Sequence, residues 1–331
     1  MSLVVAGTGS CLPVQRITNR DLEERIDTSD AWIVERTGIR ERRRVAPGEA
    51  TSHLATRAAE AALASAGIEA SDLDGILVCT VSPDMLTPAT AAFVHRNLGV
   101  GRPIPCFDLN AACTGFIYGL EVAAGLMASD RYHRVLVIGA EAITRFIDVR
   151  DRATCILFGD AAGAVVLERS ERPGGLLSTL TKADGAFWDL IQIPGGGSLD
   201  PPTARMVDER RPFVRMNGRQ VFKLAVQALE QVARDQLEQV GWKIADVDHL
   251  LVHQANARII EAVVARLGIP GERVHRNIER TGNTSSATLP TLLDEARRAG
   301  RLHAGDRILC AAFGAGLTWG SAALEWTGTR R

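Results

Sequence analysis

The chain is written twice. Residues 52–79 run through an alanine-rich helix to Gly67, cross a polar turn and enter an apolar strand. Residues 222–253 repeat that course at a constant spacing of 174, which pairs Gly67 with Gly241, Asp72 with Asp246, Asp74 with Asp248 and Val78 with Val252. Each copy reads as a helix closed by a glycine cap, then a turn, then a buried strand. Two further echoes keep the same order. Arg134–Gly139 is matched by Arg307–Ala312, and the Gly-Ala-Val-Val-Leu-Glu of 163–168 by the Gly-Ser-Ala-Ala-Leu-Glu of 320–325. A duplicated α/β unit follows, dividing into halves 1–172 and 173–331. Alternation of helix and apolar strand predicts mainly parallel sheets covered on both faces, with helices buried between the sheets of the two halves.

Composition supports that size of core. The 331 residues are 46% apolar, enough for one large core or two fused ones. The helix starting near Gly218 places Phe222, Ala225, Val226, Leu229, Val232, Ala233 and Leu237 on one face, a 3.6-residue repeat. The least regular stretch is 182–212, where Pro194-Gly195-Gly196-Gly197 and Pro201-Pro202 predict a long loop. A net charge of -1 argues against a nucleic-acid partner. Arg36, Arg40, Arg42, Arg43 and Arg44 nevertheless cluster; such a run is ordinarily a solvated face, and its functional alternative is a dock for phosphates. No apolar run approaches the ~18 residues that span a bilayer, and the first residues carry no basic leader, so a cytoplasmic protein is expected. Gly7-Thr8-Gly9 lacks the third glycine of the dinucleotide fingerprint.

Chemistry concentrates at Cys113. The segment Asn110-Ala111-Ala112-Cys113-Thr114-Gly115 leaves an apolar strand, narrows to small side chains and opens a helix. A thiol on that turn is sterically uncovered and stands at the positive end of a helix dipole, where a thiolate is favoured. The bland alternative is a small buried thiol filling space. Cys79, Cys155 and Cys310 read as strand residues, and Cys11 and Cys106 neighbour prolines, so these five read as structural. The chain has no CxxC pair, so neither a zinc site nor a redox dithiol is expected, and six unpaired thiols suit a reducing compartment.

Partners for Cys113 lie in the second half. His253 ends the strand Leu250–Val252, at the strand end where open α/β sheets place their chemistry, whereas the other six histidines read as residues of helices or polar turns. Asn283 occupies a small-residue turn before a helix; the plain alternative is an N-cap. The turn Phe313-Gly314-Ala315-Gly316-Leu317-Thr318 is positioned to bring a backbone N–H to a reacting carbonyl, or is simply a tight turn between strands.

Taken together, Ala-Ala-Cys113-Thr-Gly-Phe, Val-His253-Gln-Ala-Asn, Thr-Gly-Asn283-Thr-Ser and Gly-Ala-Gly316-Leu-Thr-Trp-Gly resemble the β-ketoacyl-acyl-carrier-protein synthase III family of thiolase-fold condensing enzymes. The stretch 28–42, Thr-Ser-Asp-Ala-Trp-Ile-Val-Glu-Arg-Thr-Gly-Ile-Arg-Glu-Arg, is similar to that family's N-terminal signature, and the likeness extends to about Trp326. The resemblance implies a thiolase-like αβαβα layered sandwich, usually a homodimer. It also implies that Cys113 takes an acyl group from acyl-CoA as a thioester, splitting one hard condensation into two easier steps. Malonyl-acyl-carrier protein then loses carbon dioxide, and the resulting enolate attacks the thioester to give a 3-ketoacyl product. His253 Nε2 and the Asn283 amide would hold the enolate oxygen, and the N–H groups of Cys113 and Gly316 the tetrahedral oxyanion. No metal and no permanently bound cofactor is implied; coenzyme A enters as the substrate thioester.

The same comparison assigns Trp32 and Arg152 to the two faces of the adenine, Thr28 and Arg36 to its surroundings, and Gly218, Phe222, Ala255 and Asn256 to the pantetheine arm. Gln254, Arg258, Lys223 and Arg266 match positions facing the carrier protein. One position departs from the pattern. Thr87 stands where acetyl-primed members carry an aromatic floor to the acyl pocket, delivered across the dimer interface, so longer or branched acyl groups are expected to fit. A thiolase would carry a second cysteine in the C-terminal glycine turn, which is absent here. A starter-unit ketosynthase or acyltransferase of polyketide metabolism shares these residues, and a cysteine hydrolase using His253 as base, or a non-catalytic acyl-CoA-binding protein, are alternatives of other classes.

Overall fold

The computed structural model describes residues 2–328. One sheet takes the strands Ser2–Cys11, Ala161–Ser170, Arg134–Glu141, Gly75–Cys79 and Cys106–Leu109, in that spatial order. A second takes His249–Val252, Arg307–Gly314, Thr318–Glu325 and Gly175–Ala183. Residues 171–174 carry the chain from the first sheet to the second.

Strand alternation shows the layers directly. Leu77, Cys79, Val135 and Val137 of the first sheet and Leu251, Ile308, Cys310 and Ala312 of the second share one core with the helices Gly115–Met127 and Thr288–Arg298. The intervening residues face outward: Ile76, Val78, Leu136 and Ile138 meet the helices Thr51–Ala66 and Thr90–Leu98. Leu250, Val252, Leu309 and Ala311 meet Gly218–Val240 and Ala257–Leu267. Because neighbouring residues of a strand point to opposite faces, both sheets are buried on both sides, and the order is helix, sheet, helix pair, sheet, helix. The repeat is exact in kind: the helices Thr51–Ala66 and Gly218–Val240 both end on left-handed glycines, Gly67 and Gly241, and both lead through a single 3-10 turn to a strand.

Several expectations need correction. The sheets are mixed rather than mainly parallel, with three parallel and four antiparallel pairings between their strands. The strands Arg307–Gly314 and Thr318–Glu325 are joined by only three residues, which an antiparallel pair alone allows. Cys155 closes a short helix, Arg152–Cys155, because Asp151 caps it by accepting from Ala153 N at 3.0 Å and Thr154 Oγ1 at 2.7 Å. Residues 182–212 are not one loop: they hold a 3-10 helix, a strand pair with 215–216 and the helix Ala204–Asp208, and Asp184 exchanges two backbone hydrogen bonds with Leu317. The arginine run is a solvated face only in part: Arg36 and Arg40 are exposed, Arg43 and Arg44 are half-buried and Arg42 is buried. Strand Glu41–Arg44 buries Arg42, whose Nη1 donates to Asn19 Oδ1 at 2.8 Å and Nη2 to the Ile156 carbonyl at 2.6 Å, while burial pulls its pKa down to about 10. His249 begins a strand and meets Asp306 at 3.0 Å and His275 at 3.1 Å.

The layers approach closely wherever a glycine faces a helix. A Cβ on Gly139 would lie 2.2 Å from the Ser286 carbonyl oxygen, whereas one on the exposed helical Gly125 meets nothing within 4 Å. Gly139→Ala should therefore destabilise by about 1–3 kcal/mol through overpacking, and Gly125→Ala should stabilise by about 0.5–1 kcal/mol through helix propensity. Urea unfolding followed by circular dichroism checks both, and equal shifts in the two variants would contradict the packing account.

Candidate active site

Cys113 lies in a 3-10 turn, Ala112–Thr114, between the edge strand Cys106–Leu109 and the central helix, which begins at Gly115. Ala112 holds a left-handed φ of 48°, unusual for a residue with a Cβ. The turn is pinned to the glycine-rich segment of the second half: Thr318 Oγ1 donates to the Ala111 carbonyl at 3.1 Å and lies 3.0 Å from Thr114 Oγ1. Gly314 completes the approach, since a Cβ there would stand 2.7 Å from Cys113 N. Gly316 (φ 133°) is bounded instead by Thr318, so the glycine against the cysteine is Gly314.

Burial sets the electrostatics. It pushes the Cys113 thiol up to about 12 against the Ser285 hydroxyl, which acts to lower it; a negative charge on Glu141 would act in the same direction as burial. A helix N-terminus favours an anion by about 0.3–1 kcal/mol, and one pKa unit is worth about 1.4 kcal/mol, so burial wins. The thiolate expected from the dipole is not the resting state. Cys79 and Cys310 are pushed up by burial too, so proton affinity does not single out Cys113; its position does.

His253 follows the strand His249–Val252 and is fixed to the neighbouring strand by its N–H, which donates to Ala311 at 2.9 Å. Its imidazole is buried, and among the described residues neither Nδ1 nor Nε2 has a hydrogen-bond partner. Desolvation pulls its pKa down to about 3, so the ring is neutral. Asn283 sits in a bridge with Phe158; its N–H donates to Leu157 at 2.8 Å and its carbonyl accepts from Gly159 N at 3.0 Å. Asn283 Oδ1 accepts from Ser285 N at 2.9 Å, which turns the side-chain NH2 away as the free donor. Ser285 links this turn to Cys113, since its hydroxyl acts on the thiol. The described residues contain no group of three or more His, Cys, Asp or Glu able to hold a metal.

The other predicted residues separate into three places. Trp32, on the helix Asp30–Thr37, has the guanidinium groups of Arg36 and Arg152 at 4.6 and 4.7 Å from its ring centroid. Thr28 Oγ1 is buried and has no hydrogen-bond partner among the described residues, and Asn256 Nδ2 donates to the Arg36 carbonyl at 3.0 Å, which joins this helix to the strand end carrying His253 and Ala255. Gly218 opens the outer helix that bears Phe222, and Arg258 lies 6.0 Å from the Phe222 ring. Lys223 and Arg258 are exposed, and Arg266 pairs with Glu230 at 3.0 Å. Gln254 is fully buried and bonds the Val252 carbonyl and Asn277 N, so it cannot face a carrier protein. Thr87 is exposed between Met85, Leu86 and Pro88. Sequence reading missed Gly314, Ser285 and Glu141; a lone acid ending the apolar strand 135–140 was the available signal for the last.

His253 carries a consequence for acid stability. Its folded pKa of about 3 lies below the ordinary 6.5, so between those values only the unfolded chain binds the proton. The stability contributed is present above pH 6.5 and lost as pH falls toward 3; His275, lowered to about 4 by burial and by Arg301, acts in the same sense. His253→Asn should lose less unfolding free energy than the unsubstituted protein on acidification from about pH 7 to 4. Parallel urea titrations decide this, and identical slopes would contradict the neutral imidazole.

Family models match twice: 3-oxoacyl-[acyl-carrier-protein] synthase III over residues 107–185 and its C-terminal model over 237–326. The β-ketoacyl-[acyl-carrier-protein] synthase III of Alkalilimnicola ehrlichii is 48% identical, with 97% of this chain and 98% of the relative covered. The crystal structure of 3-oxoacyl-[acyl-carrier-protein] synthase III from Aquifex aeolicus superposes with a TM-score of 0.91 at 42% identity, covering 98% of this chain and all of that one. The priming β-ketosynthase of the R1128 polyketide pathway gives 0.92 at 34%, covering 99% and 97%. With the thiol turn, the buried imidazole and the oriented amide in these places, the chain belongs to the β-ketoacyl-acyl-carrier-protein synthase III family.

Proposed function

We propose that the chain condenses a Cys113-bound acyl group, taken from acyl-CoA, with malonyl-acyl-carrier protein, giving 3-ketoacyl-acyl-carrier protein and carbon dioxide at the start of fatty acid synthesis. The half 1–172 supplies the nucleophile and the half 173–331 supplies His253 and Asn283. The observation that carries this reading is the pair of uncharged donors: a buried imidazole without partners among the described residues, and an amide whose oxygen is already occupied. Both hold an enolate oxygen while keeping their own protons, which an imidazolium would not do. In the first half-reaction the Cys113 sulfur bonds to the acyl carbon, the carbon–sulfur bond to CoA breaks, and the thiol proton leaves with the CoA sulfur. The backbone N–H groups of Cys113 and Gly316 are assigned to the oxyanion. In the second, the malonyl carbon–carboxylate bond breaks, its electron pair forms the new carbon–carbon bond, and the acyl carbon–sulfur bond breaks to release Cys113 as a thiolate, which takes a proton from solvent to restore the thiol.

The adenine of CoA is assigned to Trp32 and Arg152, a flat indole and a planar guanidinium suited to stacking. Thr28 and Arg36 stand beside it, and Gly218, Phe222, Ala255 and Asn256 line the arm. Arg258 and Lys223, exposed beside Phe222, are assigned to the acidic carrier protein, with Arg266 further along the same face. Six free cysteines fit a cytoplasmic setting. A homodimer is supported by the exposure of Met85 and Leu86 next to Thr87, and of Phe107 on the edge strand of the first sheet. In that assembly Thr87 would floor the acyl channel of the partner subunit. Likeness to a priming β-ketosynthase favours one second reading, the starter-unit step of a polyketide pathway, which uses the same residues on another carrier protein.

Intact-mass analysis after incubation with acyl-CoA tests the nucleophile. Cys113→Ala should take up no acyl group, while Cys310→Ala should retain capture. Asn283→Ala should still acylate and lose most decarboxylation and condensation; equal loss of both steps would sink the division of roles. With malonyl-carrier protein, a 3-ketoacyl product supports condensation and free acid supports hydrolysis.

Thr87 carries the specificity prediction. Each buried methylene is worth ~0.8 kcal/mol, so an open channel favours longer chains, and a phenylalanine excludes them by shape. Thr87→Phe should shift kcat/KM toward acetyl-CoA across an acetyl, butyryl, isobutyryl, octanoyl and dodecanoyl series. An unchanged profile removes Thr87 from the pocket.

A further inference from the structure

Glu141 ends the strand Arg134–Glu141 with no exposed surface, and no role in the reaction above calls for it. Its Oε2 accepts from Ser82 Oγ at 2.5 Å, Thr80 Oγ1 at 3.2 Å and Val81 N at 3.2 Å. Its Oε1 lies 2.8 Å from Ser286 Oγ, which in turn lies 2.7 Å from the Cys79 carbonyl oxygen. Among the described residues no arginine, lysine or histidine pairs with it; the titratable groups whose charge it affects are the thiols of Cys79 and Cys113, and Asp108 also acts on Cys79.

The proton count is decisive. A hydroxyl has one proton to donate. Ser82 spends its proton on Oε2 and accepts from Ala142 N at 2.9 Å; Thr80 likewise gives its proton to Oε2 and accepts from Ser82 N at 3.0 Å. Ser286 faces two oxygens within hydrogen-bond distance, the Cys79 carbonyl and Glu141 Oε1, and the carbonyl has no proton to give. Both short contacts are satisfied only if Ser286 donates to Cys79 and Glu141 Oε1 carries a proton and donates to Ser286. An ionised carboxylate would leave one contact as a repulsive pair of acceptors in a site without water-exposed surface.

We propose that Glu141 is held as a neutral carboxylic acid and acts as a positioning residue, a clamp joining residues 80–82, at the root of the Thr87 segment, to the turn that carries Asn283. The burial that raises its pKa agrees with that state. A neutral acid also spares Cys113 a nearby negative charge, whose effect would be to raise the thiol further and to oppose the enolate. The clamp rests on the condensation reading given above; the protonation state does not.

Difference infrared spectroscopy of the full protein, Glu141→Gln against unsubstituted, reads the protonation state without turnover. The expected result is loss of a protonated-carboxyl carbonyl band that persists in the unsubstituted protein from about pH 5 to 9, well above the ordinary carboxylate range. Absence of that band overturns the proposal. The amide of glutamine reproduces one donor and one acceptor, so Glu141→Gln should keep the pH profile of Cys113 acylation and most condensation. Glu141→Ala should keep acylation and lose roughly tenfold in condensation, about 1.4 kcal/mol. Where Glu141→Ala does not fold, Ser286→Ala, which cuts the link to the Asn283 turn, should show the same split. An acylation profile moved to lower pH in Glu141→Gln would show that a charge had been removed, and would overturn the neutral acid. Failure of acyl capture in the unsubstituted protein would instead overturn the condensation reading and leave the infrared result standing.

Discussion

The turn Ser285–Ala287 is wedged between two glycines of the other half, and the geometry of the site hangs on that contact. Gly139 lies under the Ser286 carbonyl so closely that a Cβ would sit 2.2 Å from it, and a Cβ on Gly115 would meet the Ser286 Cβ at 3.5 Å. Gly115 opens the helix that follows Cys113, and Ser285 follows Asn283 by two residues. These close contacts, with the Thr318 hydrogen bonds to the Cys113 turn, fix nucleophile and amide relative to one another. Both turns also hold a left-handed non-glycine residue, Ala112 at 48° and Ser285 at 49°, a conformation costing about 1–2 kcal/mol each that only dense surroundings maintain.

That density explains the electrostatic character of the centre. The thiol is pushed up to about 12 and the imidazole down to about 3, so the resting site holds neither thiolate nor imidazolium. Charge arises only when the reaction generates it, on an oxyanion or an enolate. Donors fixed in advance inside a low-dielectric site stabilise such transient charge far better than they would in water, and they need no reorganisation at that moment. The helix dipole contributes, but its contribution is smaller than the burial it works against.

Much of this was legible in the residues. Duplication predicted two sheets with helices between them, because repeats at one spacing must build like units, and small residues around Cys113 and Asn283 marked turns where backbones approach. Strand direction was not legible, since apolar periodicity is identical in parallel and antiparallel pairs. Arg42 and Gln254 read as surface residues because their types usually are; only tertiary packing shows that carbonyls and amides elsewhere in the chain satisfy them. In the C-terminal turn, the close packing of Gly314 on Cys113 was not legible either, because only the register of the strand Arg307–Gly314 brings that glycine against the thiol turn.

The duplication extends into the site itself. Strands Gly75–Cys79 and His249–Val252 correspond at the spacing of 174, which places Cys79 opposite His253. The turns Ala112–Thr114 and Ser285–Ala287, each followed at once by a central helix, correspond at 173, so Cys113 is matched by Ser286 and the left-handed Ala112 by the left-handed Ser285. Strands Arg134–Glu141 and Arg307–Gly314 match Glu141 with Gly314. The molecule thus holds the same constellation twice. One copy has Cys113, His253 and Gly314; the other has Ser286, Cys79 and Glu141. In the second copy the glutamate side chain fills the space beside the hydroxyl, and Ser286 is spent on Glu141 and the Cys79 carbonyl. In the first copy a glycine stands against the thiol, and the His253 imidazole has no hydrogen-bond partner among the described residues. A duplicated fold offers two equivalent positions for chemistry. Here one has been closed by hydrogen bonds into a clamp, and that closure holds the other open.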